Sequence, residues 1–206
     1  MLRFVVSLLL ANTQVIFNRY CGVATHFVES GKLVEMEDEI VGGVDSIDAV
    51  LSKYNSTDIS PQSSALAMNR GVIDKCFDNK SCVEDIIVAL ENLEGEEKEK
   101  FGDKTLKLLK KGSSISLKVT LEGMRRGGAI DNIGDVLAME YLMSQGFMKI
   151  GETDFYEGIR ALLVDKDNKP VWMHGSVEEG ALSKVTEDMV GNFFTTEASG
   201  GKTWTA

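Results

Sequence analysis

From Ser81 to the last twenty residues, apolar side chains recur at intervals of three and four. Val83, Ile86, Ile87 and Leu90 form one such series. Ile115, Val119 and Met124 form a second, and Ile133, Val136, Leu137, Met143 and Phe147 a third. Phe155, Ile159, Leu162 and Leu163 sit at i, i+4, i+7 and i+8. Such spacing gathers side chains on one face of a helix with about 3.6 residues per turn, so the chain is expected to be mainly α.

Start and stop residues place the helices. Ser81 with Glu84 three residues later predicts a capping box ahead of a helix over Cys82–Leu93. The charged run Glu94–Lys100 predicts a solvated turn or helix start, followed by a helix over Lys104–Lys111. A helix over Ser114–Arg126 is stopped by Gly127-Gly128, and one opened by Asp131 or Asn132 runs to about Met148. Asp154 with Glu157 predicts a further capping-box-like start, Asp165–Pro170 a stop, and Thr186 the cap of a last helix through Phe194.

Upstream, Leu33, Met36 and Ile40 predict a helix that Gly42-Gly43 breaks. Ser46–Tyr54 reads as a short helix, and Ser60-Pro61 as an N-cap with proline at the first helical position. Cys21–Val28 is short, apolar and β-prone, and is expected to form one buried strand. The first eleven residues, MLRFVVSLLLA, read as a minimal secretory signal, a presequence or a buried helix. They fall short of the roughly 20 apolar residues that span a bilayer, so no membrane partner is expected.

Lys and Arg number 22 against 32 Asp and Glu, a net charge of −10 over 206 residues. That charge repels phosphates overall and disfavours a general nucleic-acid or membrane-surface binder, while leaving room for a local basic patch. Lys104, Lys107, Lys110, Lys111, Lys118, Arg125 and Arg126, against Asp103 and Glu122, make such a concentration. It reads as a docking surface for a phosphate, an RNA or an acidic partner, or as two ordinary helix surfaces. Cys21, Cys76 and Cys82 cannot close a disulfide framework, and with only His26 and His174 beside them no metal site is expected. Gly201-Lys202-Thr203 resembles the end of a P-loop, but Thr196 stands where the first glycine is required. His26 reads as a general base, a substrate contact or a structural histidine.

Three stretches together resemble the C-terminal half of 3-hydroxyisobutyryl-CoA hydrolases, a branch of the crotonase superfamily. They are CGVATHFVESGKL (Cys21–Leu33), SISLKVTLEGMRRG (Ser114–Gly127) continued by DVLAMEYLMSQGFM (Asp135–Met148), and DFYEGIRALLVDKDNKPVW (Asp154–Trp172). The last carries the most specific order, EG-R-A, DKD and P-W. The resemblance implies a mainly α chain, the C-terminal helical region of a crotonase-like spiral α/β fold, with at most one or two short strands near residues 22–28. It implies a remnant of the core over residues 1–40 (helix, strand, helix), a helical region over 41–198 and a flexible tail over 199–206.

The function it implies is hydrolysis of a branched hydroxyacyl-CoA thioester in mitochondrial valine breakdown. That chemistry needs an oxyanion hole of backbone N–H groups and carboxylates. In the family these lie upstream of the Ala-Thr-His strand, and Leu8–Thr13 matches the helix just before it. The implied catalytic positions therefore lie upstream of Met1, and this chain is expected to be inactive alone. Lys166 and Lys169 are the positions implied to meet CoA phosphates, with Arg160 paired to a carboxylate. No cofactor is implied beyond the CoA of the substrate. The partners implied are acyl-CoA through the N-terminal half, and a homo-oligomer or assembly partner over an open apolar face. A ribosomal RNA or protein through 104–126 is a further one. A non-catalytic descendant, such as a mitochondrial small-subunit ribosomal component, is the alternative within the family, and an unrelated helical module the alternative outside it.

Overall fold

The computed structural model describes residues 18–56, 64–149, 153–197, 199–201 and 203. The expected helices at the N-terminus and at Ser60-Pro61 lie outside the described residues. The chain divides into two compact units, one ending at Asp74 and one running from Lys75 onward.

In the first unit, a 3-10 turn over Ser30–Lys32 leads into α1 (Leu33–Val41), which ends at Gly42. Helix α2 (Ile47–Tyr54) is capped by Ser46, whose Oγ accepts from Ala49 N. The two helices pack together, and Glu39 of α1 accepts from Tyr54 Oη at 2.8 Å and from Lys53 Nζ at 2.7 Å. Short helix α3 (Ala65–Met68), capped by Ser64, follows, and α4 (Arg70–Phe77) runs across the division at Asp74.

The buried strand expected at Cys21–Val28 does not form. Val23 is 70% exposed, and the segment is held by isolated bonds: Phe27 N donates to Asn55 Oδ1, and Ser56 N donates to Phe27 O. One backbone bond to a loop builds no ladder, so β propensity alone leaves the segment extended.

The second unit is helical. Helix α5 (Val83–Glu91) buries Val83, Ile86 and Leu90. Its expected capping box is absent: Cys82 is the N-cap and makes no side-chain cap bond. Ser81 Oγ instead donates to Asp85 Oδ2 at 2.8 Å, and Glu84 turns to Lys118 at 3.0 Å. A cation from another helix outcompetes the local cap. Helix α6 (Gly95–Glu97) passes through a π turn (Lys98–Gly102) into α7 (Asp103–Lys111). A Cβ on Gly102 would lie 2.9 Å from Leu93 Cδ1, so glycine permits that close crossing.

Helices α8 (Ser114–Gly128) and α9 (Ile133–Phe147) are the longest described, capped by Ser113 and Asn132. Between them and α11 (Glu187–Gly191) lies a core of Ile115, Val119, Val185 and Val190, flanked by Met143, Phe147, Met189, Phe193 and Phe194. The Phe147 and Phe193 rings stand 4.7 Å apart. Thr186 caps α11 as expected, and a 3-10 turn over Asn192–Phe194 continues it. In the stretch read as a tail, Ser199 is buried and Gly201 N donates to Thr196 O.

Helix α10 (Phe155–Ile159) departs from its sequence pattern. It passes into a π turn over Arg160–Val164, and Leu162, Leu163 and Val164 are 61, 62 and 68% exposed. Among the described residues the sole β pairing is an isolated antiparallel bridge, Ser113 to Ser176. The second unit is thus the mainly α architecture that the periodicity predicts.

Two substitutions test this packing. Leu90→Ala empties a site that is 1% exposed and is expected to cost about 2–5 kcal/mol in urea unfolding. Gly146→Ala places a Cβ 2.8 Å from Phe193 Cδ1 and is expected to cost about 1–3 kcal/mol, although alanine is the better helix former.

Candidate functional site

The segment Asp154–Trp172 folds around one guanidinium. Arg160 donates Nε and Nη2 to the two oxygens of Glu157 at 2.9 and 2.8 Å. Its Nη1 reaches Asp165 at 2.5 Å and Asp167 at 2.8 Å, and Nη2 also donates to Lys169 O at 3.2 Å. Glu157 Oε1 accepts in addition from Val171 N at 2.7 Å. The guanidinium, aided by that N–H, pulls the Glu157 carboxyl down to about 2. It also lowers Asp167, with help from Lys169 N, while the carboxylates raise Arg160. Arg160 therefore takes a carboxylate partner, and all its acidic partners come from its own helix and the loop behind it.

That loop carries Lys166 and Lys169. Lys166 and Asn168 have φ of 57° and 54°, a left-handed conformation that costs a non-glycine residue about 1 kcal/mol or more. The Arg160 bonds on both sides hold it there. Both lysines are exposed, Lys169 N donates to Asp167 Oδ1, and neither ammonium has an ion pair among the described residues.

A second arrangement has no counterpart in the sequence reading. Asp154 is 2% exposed and makes no capping bond to its own helix, so the expected box with Glu157 is absent. Its Oδ2 accepts from Ser113 Oγ at 2.5 Å and its Oδ1 from Met173 N at 2.6 Å. Ser113 also caps α8, its Oγ accepting from Ser116 N, and Ser114 N and Oγ both donate to Gly175 O. One buried carboxylate thus ties the start of α8, the start of α10 and the 173–176 loop together. Beside it lies a cavity of about 200 Å³ that Lys149, Thr153 and His174 also line. Each Asp154 oxygen accepts one of these hydrogen bonds.

The basic stretch divides. Lys118, Arg125 and Arg126 line a cavity of about 490 Å³ together with Glu122 and Glu187. Arg125 and Arg126 bind Glu122 at 2.9 and 2.6 Å, and Arg126 also stacks 4.3 Å from the Phe194 ring centroid. These cations are largely compensated. His26 Nδ1 lies 2.9 Å from Thr25 Oγ1. Among the described residues no group of three or more His, Cys, Asp or Glu could hold a metal ion, and no helix is long and apolar enough to cross a membrane.

Two tests follow from these contacts. Ser113→Ala removes the α8 cap and one donor to buried Asp154, and is expected to cost about 2–4 kcal/mol in urea unfolding. The Glu157 carboxyl sits below its unfolded value of about 4.3, so its contribution is complete above that pH and is lost as pH falls toward about 2. Hydrogen exchange at Val171 N–H, corrected for intrinsic rates, should therefore be protected at pH 6 and lose protection through that window. Arg160→Met should lose the protection already at pH 6.

With this geometry in view, the comparisons with known proteins converge. Residues 14–194 match the enoyl-CoA hydratase/isomerase family model. The mitochondrial 3-hydroxyisobutyryl-CoA hydrolase of Dictyostelium discoideum is 36% identical over 177 residues, 84% of this chain and 43% of that one. Small ribosomal subunit protein mS47 of Arabidopsis thaliana is 37% identical over 180 residues, 85% of this chain and 42% of that one. Among solved structures, a carnitinyl-CoA dehydratase from Mycobacterium thermoresistibile superposes with a TM-score of 0.66 and 32% identity, over 86% of this chain and 46% of that one. The chain thus spans less than half the length of these relatives. It belongs to the enoyl-CoA hydratase/isomerase family, and it resembles the 3-hydroxyisobutyryl-CoA hydrolases within it.

Proposed function

We propose that this chain serves the hydrolysis of a branched hydroxyacyl-CoA thioester, 3-hydroxyisobutyryl-CoA, in mitochondrial valine breakdown. Its part is the helical portion of the family fold. The observation that carries this reading is the match of 84% of the chain to a hydrolase of that name, with its motif Asp154–Trp172 folded into one ion-pair network. In this reading Lys166 and Lys169 present their ammonium groups to the CoA phosphates from the Arg160-held loop. The oxyanion hole and the carboxylates that act on the thioester come from the part of the family fold that these 206 residues do not span.

A direct assay tests that division. The 206-residue chain alone, given 3-hydroxyisobutyryl-CoA and a thiol reagent, is expected to release no CoA above the blank. Turnover by the chain alone would overturn it. A second reading is favoured by the likeness to a small ribosomal subunit protein: a non-catalytic component of the mitochondrial small subunit. It predicts co-sedimentation with mitochondrial ribosomes, and recovery only in soluble fractions, unchanged by salt or nuclease, would count against it.

A further inference from the structure

Of the seven basic residues from Lys104 to Arg126, four are taken up by carboxylates. Lys110 binds Glu91 at 2.8 Å, Lys118 binds Glu84 at 3.0 Å, and Arg125 and Arg126 bind Glu122. Lys104, Lys107 and Lys111 have no ion pair among the described residues. All three lie on α7 at i, i+3 and i+7, the spacing of a single face. The face is exposed, while Thr105 turns inward and is buried. The three ammonium groups form a row about 10 Å long, at about 1.5 Å of rise per residue. Asp103 is the one acid on that helix, and half-exposed Leu108 lies among the lysine stems.

We propose that the Lys104–Lys107–Lys111 face of α7 docks the phosphodiester backbone of a single-stranded RNA segment. The proposal rests on the ribosomal reading above and names the surface that would serve it. Three uncompensated point charges suit phosphate oxygens, and the face has no aromatic or arginine anchor of the kind that dominates protein–protein contacts. The chain's net charge of −10 disfavours a polyanion overall, so contact needs a local concentration of unpaired cations such as this row. Contacts of this kind carry no base preference.

The test is fluorescence anisotropy of the full 206-residue chain with labelled oligouridine across a salt series. Three phosphate contacts predict a slope of log K against log salt of about −2, at roughly −0.7 per phosphate for single strands. The variant Lys104→Gln/Lys107→Gln/Lys111→Gln should bring the slope near zero while keeping the wild-type circular dichroism and Tm, because the three side chains are exposed. Lys110→Gln, which removes an already paired cation, should leave the slope unchanged. Absence of salt-dependent binding by the wild type, or an unchanged slope in the triple variant, would overturn the surface. Tighter binding of polyglutamate than of oligouridine would overturn it in favour of an acidic protein. Two outcomes separate the surface from the reading beneath it. If the triple variant still co-sediments with ribosomes, the surface is wrong and the reading stands. If the wild type binds oligouridine with the expected slope and does not co-sediment, the surface stands and the ribosomal reading falls.

Discussion

The second unit depends on how closely helix α9 can approach the C-terminal turn. At Gly146 the Phe193 ring occupies the space that any other side chain would need, and at Gly123 the Met143 sulfur lies 3.1 Å from where a Cβ would stand. Two missing methyl groups, one on each long helix, let Phe147, Phe193 and Phe194 fill the layer over Val119 and Val190. In a close-packed interior a methyl group is a large displacement, because voids to absorb it are scarce. The Asp154 tie adds direction to this packing. Apolar contact fixes how near the pieces lie, and the bonds to Ser113 and Met173 fix which end of α8 meets the 173–176 loop.

What could be read in the sequence was whatever depends on neighbours along the chain. Val83, Ile86 and Leu90 are buried, as their spacing requires, and Ser46 and Thr186 cap the helices they precede. What could not be read depended on a partner far along the chain. Ser81 and Glu84 have the spacing of a capping box, yet Lys118 takes the glutamate. Asp154 and Glu157 have it too, yet each goes elsewhere, one to Ser113 and the other to Arg160. The tie between Ser113 and Asp154 spans 41 positions, and no local signal announces it. Cys21–Val28 departs for the complementary reason, since a strand is defined by its neighbour and among the described residues no strand pairs with it.

The candidate site shows the same division. The Arg160 network was partly legible, because the family resemblance implied a carboxylate partner for the arginine, although it did not name Glu157, Asp165 or Asp167. The compensation of the basic stretch was not. Seven bases in one stretch suggest a continuous patch, but Glu84 and Glu91 on α5 and Glu122 on α8 divide it, leaving a single helix face with excess charge. The family is shown over residues 14–194, and the chain spans less than half the length of its relatives.

The π turn at Arg160–Val164 changes the arithmetic of everything after Ile159. Its hydrogen bonds reach one residue further than those of an α-helix, as Asp165 N to Arg160 O shows. Each such turn makes the chain lag by about one position, or about 100° of rotation, relative to an uninterrupted helix. Leu162 and Leu163, which a constant period places beside Phe155 and Ile159, are carried round to a different azimuth. The arginine is kept where its fork can reach both the preceding glutamate and the aspartates beyond the turn. A single inserted position can in this way exchange which face of a short helix is greasy and which is charged without altering one residue type.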